Sequence, residues 1–185
     1  MLRIGSHLKR KLSMHDTNSY VILVDFDGTC IPKLPEDGVT DVDTGAARVL
    51  RLLKASGHKI VLWTCRNRSR NNPFNIDPRT NRFSPDTSLD KAERWFEENE
   101  IELDGVNEVP GEEDIVGYAR KALGDIIIDD TALGCPLVFS NIQYYSFSKG
   151  ENINISTYWV DWAKVEQLLL SLDIIKNTVY EGLIP

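Results

Sequence analysis

The sequence has little cysteine and no long apolar segment. Its three cysteines, Cys30, Cys65 and Cys135, are too few and too scattered for a disulfide framework or a zinc ribbon, so we expect reduced thiols. No apolar run approaches the roughly 20 residues of a membrane span. The N-terminal segment lacks the apolar core of a secretory signal. These absences predict a cytoplasmic protein that does not enter a membrane.

Basic residues are also in the minority, with 21 Lys and Arg against 28 Asp and Glu and a net charge of −7. An acidic surface is a poor platform for nonspecific nucleic-acid binding. The exception is a basic N-terminal extension at 1–18, which is either a solvated terminus or a contact for an acidic partner. The remaining chain predicts one domain at 19–175 and a tail at 176–185.

Apolar runs alternate with segments of helical periodicity, which predicts an α/β fold with a central, mostly parallel sheet of about five strands. Strands are expected at 20–24, 59–63, 103–106 and 124–130, with a fifth at 137–139, and helices at 41–56, 87–99, 112–123 and 161–172. Thr87 and Asp90 form an expected capping box. The loop 66–86 is long enough to be functional. Segment 141–158 has no predicted role.

Polar residues follow three of the predicted strands. They are Asp25-Phe26-Asp27-Gly28-Thr29, Thr64-Cys65-Arg66 and Asp129-Asp130. The carboxyl ends of parallel strands meet at one edge of a sheet, where ligands bind. Carboxylates gathered there need a neutralising cation, and hard oxygen ligands favour Mg²⁺. Such a site suits phosphoryl transfer, in which a carboxylate can act as the nucleophile.

The segment Val24–Thr29 resembles the first motif of the haloacid dehalogenase-like (HAD) phosphohydrolases. Ile60–Thr64 is similar to the second motif of that superfamily, Lys121 to the third, and Asp129-Asp130 to the fourth. The resemblance implies a three-layer sandwich in which the first strand is central, with the fourth and second strands beside it. The segments between the motifs are too short for a large cap domain, so a small capless member is expected.

The resemblance also implies a role for each matching residue. Asp25 would be the nucleophile, and Asp27 would protonate the leaving group and then activate water. Thr64 would bind a phosphate oxygen, and Lys121 would offset its charge, with Lys91 as the alternative lysine. Mg²⁺ would be held by Asp25, Asp129 and the backbone carbonyl of Asp27, with Asp130 through water or directly. Further phosphate- or substrate-binding candidates are Gly28, Thr29, Cys65 and Arg66.

These roles predict a Mg²⁺-dependent phosphomonoester hydrolase that forms an aspartyl-phosphate on a small phosphorylated substrate. One alternative is a nucleotide or nucleic-acid-end phosphatase, suggested by Arg66, Arg68 and Arg70. Another is a non-catalytic module that binds a phospho-ligand or a partner. Oligomerisation is open. Cys65 has no histidine to activate it and is expected to pack, as are the tryptophans Trp63, Trp95 and Trp162.

Overall fold

The computed structural model describes residues 19–35, 38–68, 76–77, 82–83, 87–109 and 123–176. In these residues the fold is mixed α/β. The elements in chain order are β1 (Val21–Val24), β2 (Gly38–Val39), α1 (Ala46–Ala55), β3 (Lys59–Leu62), β4 (Ile76–Asp77), β5 (Arg82–Phe83), α2 (Ser88–Glu98), β6 (Gly105–Val106), β7 (Ile126–Ile128), β8 (Leu137–Ser146), β9 (Glu151–Val160) and α3 (Trp162–Ser171).

The parallel sheet has the order β6-β3-β1-β7, so the predicted central position of β1 is confirmed. Val24 is level with Leu62 on one side and with Ile128 on the other. The last three residues of β1 and of β3 are buried, which explains their nearly unbroken apolar sequence. Because all strands of this sheet run the same way, the segments that follow β1, β3 and β7 begin at one edge.

Three helices bury one face each against the core. The expected helix at 41–56 begins later, at Ala46, because Gly45 adopts a left-handed φ of 83° and does not extend the helix backwards. The capping box at the start of α2 is confirmed: the Thr87 side chain accepts from the Asp90 backbone, and the Asp90 side chain accepts from the Thr87 backbone. Asp161 caps α3.

A second sheet is antiparallel and has the order β2-β8-β9. The expected fifth strand at 137–139 therefore belongs to β8 and pairs with β9 rather than with the parallel sheet. Segment 141–158, which had no predicted role, forms most of the hairpin made by the two ten-residue strands β8 and β9. Within the loop 66–86, β4 and β5 form a short antiparallel pair.

Several predictions fall outside the described residues: the extension at 1–18, most of the helix at 112–123 and the tail from 177 onward. Of the tryptophans, Trp162 is buried, while Trp63 and Trp95 are partly buried against the core. Across the described ranges, none of the helices combines the length and apolar character that crossing a membrane requires.

Candidate active site

The chain leaving β1 forms a tight loop over the carboxyl edge of the parallel sheet. The amide of Asp25 donates to the carbonyl oxygen of Ile128, which fixes it beside β7. The carbonyl oxygen of Phe26 then accepts the amides of Cys30 and Ile31 at 2.9 and 3.2 Å. This turn requires a φ of 83° at Gly28, which glycine adopts readily because it has no side chain.

Three carboxylates meet above this loop. Oxygen atoms of Asp25, Asp129 and Asp130 lie within 4.8 Å of one another, as the strand endings predict. The Asp130 side chain is only 1% exposed, and neither of its oxygens accepts a hydrogen bond from the described residues. A buried carboxylate without donors is costly unless a cation neutralises it. The arrangement of hard oxygen donors therefore fits a divalent cation such as Mg²⁺.

The electrostatics of Asp25 reflect the same crowding. Burial raises the pKa of its carboxyl group from 3.8 to about 6, against the lowering effect of a hydrogen bond from the Phe26 backbone. The negative charges of Asp129, Asp27 and Asp130 contribute to the same rise. A proton or a cation is therefore favoured at this group, as expected where carboxylates share one site.

Thr29 connects two members of the cluster. Its hydroxyl oxygen accepts the backbone N–H of Asp130 at 3.0 Å and lies 3.5 Å from Oδ2 of Asp25. Asp129 is oriented from its own side, because its Oδ1 accepts both the amide and the hydroxyl of Thr131. Thr29, predicted to contact substrate, is fully buried, and its hydroxyl contacts Asp25 and Asp130 instead.

Asp27 does not join the three clustered acids with its side chain. Its two carboxylate oxygens accept Nε and Nη2 of Arg66 at 2.7 and 2.6 Å. Arg66 also donates to the carbonyl oxygen of Ser88 and stacks over the Phe26 ring at 4.8 Å. A bidentate pair of this kind fixes the orientation of both side chains in addition to balancing their charges. The sequence predicted that both residues lie at this edge, but not that they form an ion pair.

Among the described residues, Lys33 lies beside the acids, and sequence analysis missed it. Its Nζ donates to the backbone carbonyl oxygen of Asp27 at 3.1 Å and lies 3.4 Å from Oδ2 of Asp130. At that separation the second contact is an ion pair rather than a well-formed hydrogen bond. Burial is the largest single effect on the pKa of Lys33 and lowers it, but Asp130, Tyr158 and Asp25 together raise this pKa above its ordinary value.

The other predicted site residues have mixed outcomes. The Thr64 amide donates to Asn107, and its hydroxyl accepts the amide of Arg66, so Thr64 shapes the turn after β3. Cys65 is exposed, so the expectation that it packs in the interior was wrong. The turn directs its side chain to solvent. Lys121 lies outside the described residues, and its role stays a prediction.

A cavity of about 530 Å³ lies next to this edge of the sheet. The residues that line it include Phe26, Arg66, Trp95, Val39 and Phe147. Arg66 therefore faces both the carboxylate of Asp27 and this space. The cavity is large enough for a small organic group attached to a phosphate.

Aspartates at the opposite edge of the same sheet behave differently. Oδ2 of Asp104 accepts the amide of Ile60, and Oδ2 of Asp125 accepts the amide of Val21, at 2.7 and 2.8 Å. These carboxylates satisfy strand N–H groups, which is a structural role. At the carboxyl edge, by contrast, neither oxygen of Asp130 accepts a hydrogen bond from the described residues.

Comparisons with known proteins assign no family. No protein-family model matches the sequence, and no curated protein matches it. One solved structure, of a conserved protein from Bacteroides thetaiotaomicron, is 28% identical and covers 63% of this chain and 80% of that one. Its TM-score is 0.45, at which level the likeness assigns neither fold nor function.

Proposed function

We propose that the protein is a Mg²⁺-dependent phosphomonoester hydrolase of the HAD type, acting through an aspartyl-phosphate on Asp25. The observation that carries the proposal is the meeting of Asp25, Asp129 and the buried Asp130 within 4.8 Å. The resemblance of the motifs and the central position of β1 support it. The finer architecture we propose is a three-layer sandwich without a large cap.

The cation would be held by the side chains of Asp25, Asp129 and Asp130 and by the carbonyl oxygen of Asp27. When bound, Mg²⁺ would supply positive charge to the phosphoryl oxygens and offset the repulsion among the acids. The carboxylate form of Asp25 is the nucleophile, and a cation at this site would offset the charges of the neighbouring acids that raise its pKa.

In the first step an oxygen of Asp25 attacks phosphorus, and the bond to the leaving oxygen breaks. Asp27, in its protonated form, gives its proton to that oxygen. In the second step Asp27 takes a proton from water as the water attacks phosphorus. The Asp25 oxygen leaves as a carboxylate, and inorganic phosphate is released. Arg66 donates to both oxygens of Asp27, which leaves neither oxygen available to carry the proton that the first step requires. We infer that Arg66 turns toward the substrate phosphate before that step.

The test is hydrolysis of a generic aryl phosphate with and without Mg²⁺, comparing wild type with Asp25→Asn. We expect Mg²⁺-dependent turnover in wild type and a loss of roughly a thousandfold or more in the variant. The matched control is Asp125→Asn at the opposite edge, because an amide oxygen can still accept the Val21 amide. Equal rates in wild type and Asp25→Asn would contradict the proposal.

A second candidate is a non-catalytic module that binds a phosphorylated ligand. The observation that favours it is the Asp27–Arg66 pair, since a carboxylate that accepts two N–H donors is not free to exchange protons. Vanadate binding without turnover on a panel of sugar phosphates, nucleotides and a terminally phosphorylated oligonucleotide would support this module. Turnover of the oligonucleotide alone would instead support a nucleic-acid-end phosphatase.

A further inference from the structure

Lys33 occupies the place that the proposed cation needs. Its ammonium group lies 3.1 Å from the carbonyl oxygen of Asp27 and 3.4 Å from Oδ2 of Asp130. Both oxygens are ligands in the proposed function. A lysine ammonium and a divalent cation cannot occupy the space between the same oxygen atoms at once, because both are positive and each requires direct contact.

The position of this lysine is fixed by the fold. Its backbone N–H donates to the carbonyl oxygen of Tyr158 at 2.9 Å, and its carbonyl oxygen accepts the hydroxyl of Thr157, both on β9. A methyl group on Gly28 would lie 3.0 Å from the Cδ atom of Lys33 and 2.7 Å from Oδ2 of Asp130. Because Gly28 has no side chain, there is space for the Lys33 side chain to reach the acids.

We propose that the Lys33 ammonium is a tethered counter-cation, which neutralises Asp130 in the metal-free protein and which a divalent cation displaces on binding. The inference rests on the proposed function for the identity of the site. The lysine side chain is 40% exposed, so its head can rotate into solvent while the backbone stays on β9. Metal binding thus competes with a group of the same chain.

The proposal sets the direction of a measurable change. Apparent affinity falls with the fraction of molecules in which the site is blocked, so a lysine that occupies it most of the time weakens metal binding roughly tenfold. Lys33→Gln removes the competing charge and should tighten binding by about that factor. The same variant should also make the metal-free protein less stable, because Asp130 loses its partner.

The experiment is a calorimetric titration of metal-free protein with MgCl₂ in the absence of substrate. Wild type is compared with Lys33→Gln and with Lys54→Gln. Lys54 is the matched control, since it pairs with Asp104 at 2.7 Å at the opposite edge of the sheet. Tighter binding in Lys33→Gln alone supports the counter-cation. Equal or weaker binding in Lys33→Gln overturns it.

A second measurement needs no variant. Wild-type protein is treated with a limiting amount of an amine-acylating reagent, with and without saturating MgCl₂, and modification is located by mass spectrometry. Displacement should raise the labelling of Lys33 severalfold and leave that of Lys54 unchanged. No increase at Lys33, in protein that calorimetry shows to bind Mg²⁺, would also overturn the inference.

The two proposals fail in different ways. If wild type and Lys33→Gln bind Mg²⁺ equally, the counter-cation is wrong while the hydrolase proposal stands. If neither protein binds Mg²⁺, both the metal site and the counter-cation are wrong. If Lys33→Gln binds more tightly but aryl phosphate is not hydrolysed, the counter-cation is correct and the hydrolase proposal is wrong.

Discussion

The indole Nε1 of Trp162 donates a hydrogen bond of 2.8 Å to the backbone carbonyl oxygen of Thr29. Trp162 is the first residue of α3, and Thr29 lies in the loop that carries Asp25 and contacts Asp130. Both residues are buried. A helix that begins 133 residues after Thr29 therefore holds the loop on which the acid cluster depends.

Trp162→Phe tests this connection. Phenylalanine keeps much of the apolar volume but leaves the buried carbonyl of Thr29 without its donor, so we expect a loss of about 2–4 kcal/mol in the free energy of unfolding. Urea denaturation measures it. Trp159→Phe on β9 is the control, because Trp159 is half-buried, and should cost less. An equal cost for both would show that the hydrogen bond contributes nothing.

The Arg66–Asp27 pair gives a second prediction. Arg66→Lys keeps the charge but cannot make two parallel hydrogen bonds to the substrate phosphate, toward which we infer that Arg66 turns. If the hydrolase proposal holds, kcat/KM for an aryl phosphate should fall about 10- to 100-fold, the equivalent of about 1.5–3 kcal/mol. Arg51→Lys is the control, since Arg51 makes a hydrogen bond to the Asn99 carbonyl. Full activity in Arg66→Lys would mean that the two parallel hydrogen bonds of the Arg66 guanidinium have no part in turnover.

The cavity beside Arg66 gives a third prediction. Val39 lines it and is 53% exposed, so a larger side chain fits there without disturbing the core. Val39→Trp should raise KM for a bulky aryl phosphate roughly three- to tenfold and leave kcat within about twofold. Leu172→Trp is the control, because it introduces the same side chain at an exposed position at the end of α3. An unchanged KM in Val39→Trp would place the leaving group elsewhere.

Glu166 gives a pH-dependent prediction away from the acid cluster. Its oxygens accept Nη1 and Nη2 of Arg48, both at 2.5 Å, joining α3 to α1. Hydrogen bonds and charge from Arg48 lower the pKa of Glu166 below 4.5 despite slight burial. A lowered folded-state pKa adds stability that is present at neutral pH and is lost as the pH falls through it.

Glu166→Gln should therefore lower the free energy of unfolding at pH 7 by roughly 0.5–1 kcal/mol, the range of a partly exposed pair. The difference from wild type should shrink as the pH is lowered below about 4.5. Urea denaturation at several pH values measures both effects. A difference that stays constant down to pH 3 would rule out the charge of Glu166 as its source.

The acid cluster could be predicted from sequence because its geometry depends on local rules. Buried strands read as apolar runs, and parallel strands end at the same edge. Asp25 and Asp129 follow such runs directly. A parallel sheet was therefore the only assumption needed to predict that these two residues lie close together. The start of α1 at Ala46 was less predictable. The helical spacing of apolar residues extends back to Val42, but the left-handed backbone at Gly45 prevents the helix from beginning there.

Lys33 could not be placed from sequence. Its position depends on Thr157 and Tyr158, and Thr157 is 124 residues further along the chain. Those partners belong to the β8–β9 hairpin. Its strands do alternate, as in Asn152-Ile153-Asn154-Ile155, which predicts strands that sequence analysis missed. The alternation still does not indicate which residues the hairpin contacts. Nothing near Lys33 in the sequence indicates that a lysine six residues after Asp27 turns back onto its carbonyl.

The aspartates at the two edges of the parallel sheet differ in what an asparagine could do in their place. Asp104 and Asp125 each accept a strand amide, and a neutral amide oxygen can do the same. Asp25 and Asp130 contribute charge, which asparagine lacks. An asparagine in place of Asp125 would therefore keep its hydrogen bond to β1, whereas an asparagine in place of Asp25 or Asp130 would remove charge from the proposed cation site without altering the strands that position it.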